Sequence, residues 1–252
     1  MISNPLISII TPVYNSSQFL AETINSVLDQ SYNNWEHILV NDFSTDDSME
    51  IILSFMKLDK RIKLGFHDQN LGVAEARNLG TKLAKGNLIA FLDSDDKWEK
   101  DKLEVQVGFM LEKKCNLSHT AYRKININGD IVANFIPVSK SIDYYKLLTH
   151  NEIGLLTSMY NVDMLGKKYF TKMGHEDYSF WLQILKNKEC SLGINIVLAS
   201  YRIHSNSLSH NKIRAAQFTW NIYRKSQNLS FFKSIYYFSF YMIKATRKFF
   251  IK

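Results

Sequence analysis

The stretch from Leu88 to Asp96 reads LIAFLDSDD and joins five apolar residues to three aspartates. An apolar run of this length predicts a strand that is buried on both faces of a sheet. Carboxylates crowded at the end of such a strand repel one another unless a cation or hydrogen-bond donors compensate. Mg²⁺ and Mn²⁺ prefer these hard oxygen ligands, together with phosphate oxygens. The aspartates therefore predict a metal-phosphate site, although Asp95 or Asp96 could instead cap a helix that runs toward Leu103.

The first hundred residues alternate between strand and helix patterns. Three further strands are predicted at 6–11, 36–40 and 62–66. The intervening helices are predicted from Ser16 or Ser17 to about Gln30, from within 44–47 onward, and from Gly72 to a glycine C-cap at Lys85-Gly86. Four βα units in succession predict an α/β fold with a parallel, doubly wound sheet, and the apolar LIAFL strand is expected near its centre.

Polar residues follow the predicted strands at the point where ligands bind to such sheets. These are Tyr14-Asn15, Asn41-Asp42 and the aspartates at 93–96. Ligands of doubly wound sheets bind outside the carboxyl ends of the strands. The coincidence indicates that this edge of the sheet carries the function.

The pattern loosens beyond Leu117, where a hairpin, two strands and two helices are predicted. The hairpin turns at Asn128-Gly129, the helices cover 142–148 and 176–186, and the strands cover 155–160 and 194–199. We see no repeat or linker, which indicates one domain with a C-terminal helical appendage.

Composition and charge limit the class of protein. An apolar fraction of 46% excludes a disordered chain, and Cys115 and Cys190 are too few for a disulfide framework. No signal-peptide pattern follows Met1, so we expect a cytoplasmic location. Residues 201–252 contain ten Lys and Arg residues and no Asp or Glu, whereas residues 1–200 contain 21 basic and 24 acidic residues. The basic tail suits a polyanion, either nucleic acid or an anionic membrane surface.

Four blocks of the first hundred residues together resemble glycosyltransferase family 2. The blocks are 11–15 (TPVYN), 40–46 (VNDFSTD), 72–78 (GVAEARN) and 91–98 (FLDSDDKW). The resemblance implies a GT-A fold, in which a Rossmann-like nucleotide-binding half and an acceptor half share one mixed sheet. We expect 1–100 to form the UDP-binding half, 101–210 the acceptor half, and 211–252 a basic, aromatic, helical tail.

The resemblance also implies roles for residues of the four blocks. Tyr14, after Pro12, would stack on uracil, and Asp42 would accept its N3–H. Arg77 would approach the nucleotide or diphosphate, with Asp93 and Ser94 near the ribose and Asp95 on Mn²⁺ or Mg²⁺. The structural alternatives are a rim aromatic for Tyr14 and a surface charge for Arg77, paired with Glu75 or Asp42. The family commonly has an acid where this chain has Asn41, and the effect of that change is left open.

The later chain supplies candidates for catalysis. Glu176 and Asp177 open a predicted helix, where acids also favour the helix dipole. They resemble the acid pair of inverting enzymes, with Asp177 as general base and Glu176 as a holder of acceptor or donor sugar. The segment from Tyr201 to Ser209 resembles the one that folds over the diphosphate, so Arg202 could neutralise phosphate and His204 could join the metal.

The tail bears on the acceptor. In a helix over 230–252, Lys233 and Lys244 share a face with Arg247 and Lys248 flanking, and apolar residues oppose them. This suits a helix lying in the surface of an anionic membrane, or else one packed on the domain. In the C-terminal half, the segments Gly174-His175-Glu176-Asp177-Tyr178 and Asn211-Lys212-Ile213-Arg214-Ala215-Ala216, with later aromatic residues such as Trp220, carry a narrower resemblance. They resemble bacterial O-antigen β-1,3-hexosyltransferases that act on GlcNAc-diphosphate-undecaprenol.

The resemblances predict a metal-dependent, inverting, non-processive transferase of one hexose from a UDP-sugar to a lipid-linked GlcNAc. Galactose is favoured ahead of glucose, and the enzyme is expected as a peripheral protein at the cytoplasmic face of the bacterial inner membrane. Two alternatives compete with it. The chain could be an inactive binding module that docks other polysaccharide-assembly enzymes, or a nucleic-acid-binding protein. The latter is disfavoured because no recognisable reading helix accompanies the basic tail, so nucleic acid is not an expected partner.

Overall fold

A central mixed sheet organises the protein. The computed structural model describes residues 4–203 and 212–250, with only the backbone described for 212 and 244–250. The strands are β1 (Ile7–Val13), β2 (Trp35–Asn41), β3 (Ile62–Phe66), β4 (Leu88–Phe91), β5 (Lys97–Trp98), β6 (Leu117–Ile125), β7 (Ile131–Ile136), β8 (Ser141–Ile142), β9 (Met159–Asn161) and β10 (Ser191–Arg202). The helices are α1 (Ser17–Leu28), α2 (Ser48–Leu58), α3 (Val73–Leu83), α4 (Lys102–Lys113), α5 (Tyr144–Thr149), α6 (Val162–Leu165), α7 (Glu176–Leu185), α8 (Lys212–Asn221) and α9 (Phe231–Phe250).

The strand order among the described residues is β3-β2-β1-β4-β9-β6-β10-β5, with β7 beside β6 and β8 beside β10. The first four strands are parallel, as predicted. The second half is mixed, because β9 runs antiparallel to both β4 and β6, whereas β10 runs parallel to β6. The predicted α/β architecture with one mixed sheet is confirmed, and β4 lies near its centre.

Helices cover both faces of the sheet, because strand residues alternate between two cores. Ile10, Val40 and Phe91 point into a core shared with α3, α5 and α7. Ile9, Ala90 and Leu92 point into the opposite core, which α1 and α4 cover. This doubly covered sheet places the carboxyl ends of β1, β2 and β4 at one edge.

Several predicted boundaries are wrong, and the strand predicted at 194–199 spans Ser191–Arg202. The helix α3 ends at Leu83 with an extended Ala84 as its C-cap, and Gly86 lies so close to the backbone of β1 and β4 that a Cβ would overlap Ser8 N and Leu88 O. The predicted strand at 155–160 begins with a 3₁₀ turn, Leu155–Thr157. The predicted helix at 142–148 begins only at Tyr144, since the Asp143 side chain accepts from Lys146 N and caps it.

The C-terminal segment packs in two ways. A π-helical segment, Ile222–Ser226, follows α8 and buries Ile222 and Tyr223 in the main core. The helix α9 packs on α8, with Phe238 against Trp220, and on the π-helical segment, with Tyr237 against Tyr223. Its other side is exposed to solvent and apolar, as shown by Phe232, Ile235, Tyr236, Phe240 and Ile243. Within the described residues, no helix combines the length and the apolar character needed to cross a bilayer.

Candidate active site

The strands β1 and β4 stop pairing before β1 ends, and the gap beyond their last bond is here called the crevice. The last hydrogen bond between them runs from Leu92 N to Ile10 O at 3.0 Å, whereas β1 continues to Val13 beside β2. Pro12 therefore faces the side on which β4 has ended, and its missing N–H leaves no ladder bond unmade. The predicted nucleotide residues surround this gap, at the position where doubly wound sheets bind ligands.

Two loops that line the crevice are held against each other. Tyr14 is 50% exposed at the end of β1, and the following Asn15 accepts a 2.8 Å bond from Thr45 N. The Asp46 carboxylate accepts from Ser17 N at 2.9 Å and caps α1 from the neighbouring loop. Burial alone would raise the pKa of Asp46. Hydrogen bonds from Ser48 and Ser17 outweigh that effect and lower the pKa to about 2. These contacts hold the loop with Tyr14 exposed beside the gap.

Asp42 is buried in a dense set of hydrogen bonds. Its Oδ1 accepts from His67 Nδ1 at 2.7 Å and from Leu71 N at 3.0 Å, and its Oδ2 accepts from Gly72 N at 2.7 Å. A carboxylate has about four acceptor positions, so one on Oδ2 is left for a ligand. The open question about Asn41 is answered in part, since its Oδ1 accepts from Ser44 N at 3.1 Å and orders the loop.

The three aspartates after β4 have different environments. Asp93 and Asp95 are half-buried, whereas Asp96 is buried, with its Oδ1 accepting from Arg202 N at 2.7 Å and its Oδ2 unpartnered. Burial raises the pKa of Asp96 well above its ordinary value, and the charges of Asp95 and Asp93 add to the effect. The N-cap of α4 is Asp101, so the alternative that Asp95 or Asp96 caps that helix is wrong.

Ser94 and Arg202 hold the aspartate loop in place. Ser94 Oγ lies 2.7 Å from Ser16 Oγ, which joins the loop to the start of α1. Arg202 is 2% exposed and donates from Nε to Asp95 O at 2.7 Å, from Nη1 to Asn126 O at 3.2 Å and from Nη2 to Glu22. These contacts favour a positioning role for Arg202 over the predicted contact with phosphate.

An open cleft of about 800 Å³ borders Glu22 and is lined by Lys97, Glu99 and Arg123. None of the predicted site residues lines it. The cleft is therefore separate from the crevice at the end of β4.

Arg77 joins the aspartate loop to the predicted catalytic pair. Its Nη2 donates to Asp93 Oδ1 at 2.6 Å and its Nη1 to Glu176 Oε1 at 2.7 Å, and the residue is 4% exposed. Burial by itself would lower the pKa of Arg77, but the charges of Asp93 and Glu176 raise it overall. The alternative of a surface charge paired with Glu75 or Asp42 is wrong. One guanidinium instead places the end of β4 and the start of α7 in a single site.

Asp177 is the second residue of α7, which begins directly after its left-handed N-cap His175 (φ 56°). Its Oδ2 accepts a 3.2 Å hydrogen bond from Asn151 Nδ2. Burial raises the pKa of Asp177, and the neighbouring charge of Glu176 raises it further, against the lowering effects of Tyr178 N and Arg77. A carboxylate with a raised pKa is a stronger base than an ordinary one.

The family model described as "Glycosyl transferase family 2" matches residues 8–171. The chain belongs to glycosyl transferase family 2. It is a glycosyltransferase, as its sequence predicted.

Relatives of this family 2 enzyme span nearly its whole length. It is 40% identical over 245 residues to the putative teichuronic acid biosynthesis glycosyltransferase TuaG of Bacillus subtilis, covering 97% of each chain. It is 38% identical over 218 residues to the UDP-Glc:alpha-D-GlcNAc-diphosphoundecaprenol beta-1,3-glucosyltransferase WfgD of Escherichia coli, covering 86% of this chain and 85% of that one. The predicted resemblance to this narrower group is confirmed.

A solved structure supports the fold. The crystal structure of S. aureus TarS 1–349 in complex with UDP-GlcNAc superposes with a TM-score of 0.72 at 21% identity. The match covers 87% of this chain and 65% of that chain. The GT-A fold assigned to the family 2 chain is confirmed.

The site also contains residues that the sequence analysis missed. Neither His67, which bonds Asp42, nor Asn151, which bonds Asp177, was singled out from the sequence. Both lie in loops without a motif. The predicted metal ligand His204 lies outside the described residues.

Proposed function

We propose that this family 2 enzyme transfers one glucose from UDP-Glc, with inversion, to GlcNAc carried on a polyprenyl diphosphate at the cytoplasmic face of the membrane. The observation that carries the proposal is the bridge from Arg77 to Asp93 and Glu176. It joins the predicted donor residues to the predicted catalytic pair in one site. Glucose is preferred here to the galactose favoured from the sequence, because the WfgD and WfaP relatives are both named for UDP-Glc.

The donor would lie in the crevice between β1 and β4. The exposed ring of Tyr14 offers a face for uracil, and the remaining acceptor position on Asp42 Oδ2 suits the N3–H of the base. Asp42 is also held rigidly by three donors, so little ordering remains to be done when the base binds.

The aspartate loop suits a divalent metal. Asp93 and Asp95 supply hard carboxylate oxygens beside the unpartnered Oδ2 of Asp96. Within residues 4–203 and 212–250, no three His, Cys, Asp or Glu side chains converge as a ready-made metal cage. Asp95 would hold Mn²⁺ or Mg²⁺, and the diphosphate oxygens of the donor would supply further ligands. When bound, the cation would neutralise the charge that develops on the leaving UDP.

Catalysis would centre on Asp177. Its carboxylate would remove the proton of the acceptor hydroxyl as that oxygen attacks the anomeric carbon from the face opposite UDP. The new glycosidic bond forms as the bond from the anomeric carbon to the UDP oxygen breaks, so the configuration inverts. Glu176, fixed by Arg77, would orient the sugar or the acceptor.

A lipid-linked acceptor, held in a membrane, would account for the exposed apolar face of α9. Phe232 is 82% exposed, and Tyr236 and Ile243 lie on the same side. Residues 201–252 contain ten basic residues and no acidic ones. An apolar face that points away from the protein, beside unopposed positive charge, suits the headgroup region of an anionic bilayer.

A donor screen tests the proposal. The protein is incubated with Mn²⁺, a synthetic GlcNAc-diphosphate-lipid and each common UDP-sugar in turn, and the products are followed by mass spectrometry. We expect addition of one hexose from UDP-Glc that is lost with EDTA. Transfer from UDP-Gal alone would show that galactose, and not glucose, is the transferred sugar. The absence of transfer from every donor, with UDP still bound, would contradict the proposed reaction.

A further inference from the structure

The turn that carries the predicted base is packed against α8. A methyl group built on Gly174 would overlap the ring of Phe218. The ring of Phe218 also meets the ring of His175 edge to face, with 5.5 Å between the centroids. Gly174 itself does not have a positive φ. The turn therefore excludes a side chain at 174 because of Phe218, and not because of backbone conformation.

The next residues of α7 are held by the segment that follows α8. Ser179 Oγ lies 2.7 Å from Ser226 Oγ. The hydroxyl of Tyr178 donates to Leu147 O at 3.0 Å, and the hydroxyl of Tyr223 donates to Leu148 O at 2.7 Å. The two hydroxyls also lie 3.4 Å apart. The first turn of α7 is thus contacted by Tyr223 and Ser226 through Tyr178 and Ser179, and Phe218 contacts the residues just before it. Asp177 lies between these two points of contact.

We propose that Phe218 is a positioning residue that sets the orientation of Asp177 through Gly174 and His175. The inference rests on the proposed role of Asp177 as the base. The described contact of the Asp177 side chain is a single 3.2 Å bond from Asn151, so its direction depends on the backbone of the turn. A misplacement of about 1 Å in a catalytic group costs about 10²-fold in rate.

Phe218 lies away from the residues predicted to bind the donor base, so its replacement should not affect binding of UDP. Its described neighbours are Gly174, His175 and Arg214. Tyr14 and Asp42 lie at the ends of β1 and β2, on the other half of the sheet. Loss of the ring should therefore lower kcat and leave the affinity for UDP unchanged.

A double-mutant cycle tests the inference. We expect Phe218→Ala and Gly174→Ala each to lower kcat at least tenfold, with the Kd of UDP unchanged within twofold. In the double variant the added methyl occupies space that the ring has left, so its kcat should be no lower than that of Gly174→Ala. Phe218→Leu, which keeps apolar volume, should recover part of the loss. Additive losses, or a normal kcat for Phe218→Ala, would overturn the inference.

Amide hydrogen exchange supplies a readout that does not depend on transfer. Phe218→Ala should speed exchange at 174–178 and leave 42–46 unchanged. Equal exchange in the two proteins would overturn the positioning role, whatever the activity. Full transfer by Asp177→Asn would instead contradict the proposed base. The exchange comparison would still show whether Phe218 orders residues 174–178.

Discussion

Arg77 Nη1 and Glu176 Oε1 lie 2.7 Å apart, although 99 residues separate them in the chain. The same guanidinium contacts Asp93 at 2.6 Å. Each bond joins a charged donor to a charged acceptor, and both come from one planar guanidinium, so together they restrict the relative placement of Asp93 and Glu176. The loop after β4 is therefore tied through Arg77 of α3 to the first turn of α7.

Replacement of Arg77 should affect both stability and turnover. Arg77→Ala removes a buried cation from two carboxylates, and we expect a loss of about 3 kcal/mol in the free energy of unfolding. Arg77→Lys keeps the charge but cannot bridge both partners, so kcat should fall about tenfold or more. Lys113→Ala, which breaks the exposed pair with Glu112, is the matched control and should cost at most about 1 kcal/mol. Denaturant titration measures the free energy of unfolding, and steady-state kinetics measure kcat. Equal losses of stability in Arg77→Ala and Lys113→Ala would contradict the bridge.

The aspartates after β4 and the acid pair of α7 should fail in different ways. Asp177→Asn should lower kcat by about 10²–10⁴-fold, since general bases contribute that much, and leave UDP binding intact. Asp95→Asn should weaken binding of UDP in the presence of Mn²⁺. Calorimetric titration of UDP, beside transfer assays, separates the two. Intact turnover in Asp177→Asn, or unchanged UDP binding in Asp95→Asn, would remove the corresponding role.

The raised pKa of Asp177 gives the same variant a pH-dependent effect on stability. A carboxyl whose pKa is raised by folding destabilises the native state wherever it must ionise, so Asp177→Asn should raise the unfolding midpoint at pH 7. The gain should vanish as the pH falls below about 4, the ordinary range of the carboxyl. Thermal unfolding at both pH values measures it.

The local parts of this arrangement could be predicted from sequence. The four parallel strands and α3 follow from hydrophobic periodicity within short windows. Polar residues at the ends of the strands point to the edge of the sheet where Arg77 contacts Asp93 and Glu176. The bridge could not be predicted, because the partners of Arg77 come from β4 and α7. The same holds for Phe218, whose contact with Gly174 depends on how α8 returns to the domain. Gly86 was taken as a helix cap because a glycine after a helix is common, whereas its reason is a close approach of strands.

Lys102 should make stability depend on pH. It is fully buried, with Nζ donating to Gln106 Oε1 at 2.6 Å, and burial lowers its pKa to about 7. The unfolded chain binds the proton up to about pH 10.4, so the native state gains stability as the pH rises above 7. Between pH 7 and 9 the wild type should gain about 2 kcal/mol relative to Lys102→Met. Denaturant titrations at the two pH values test this, and parallel changes in the two proteins would contradict it.

The outer face of α9 should bind membranes. A triple variant, Phe232→Ser with Tyr236→Ser and Ile243→Ser, should bind anionic lipid vesicles at least tenfold more weakly, because each side chain contributes about 1.5–3 kcal/mol when fully buried. Leu58→Ser, at an exposed apolar position of α2, is the control. Added salt should weaken binding of the wild type. Vesicle cosedimentation measures all of these, and equal binding by the triple variant and the control would exclude α9 as the contact.

The anomeric configuration of the product tests the central claim most directly. The donor UDP-Glc carries glucose in the α configuration, and single displacement with Asp177 as base must give a β linkage. The purified glucosyl-GlcNAc-diphosphate-lipid can be examined by proton NMR, in which the coupling of the anomeric proton distinguishes the two forms. A β linkage is the predicted result. An α linkage would contradict single displacement at the site that Arg77 joins.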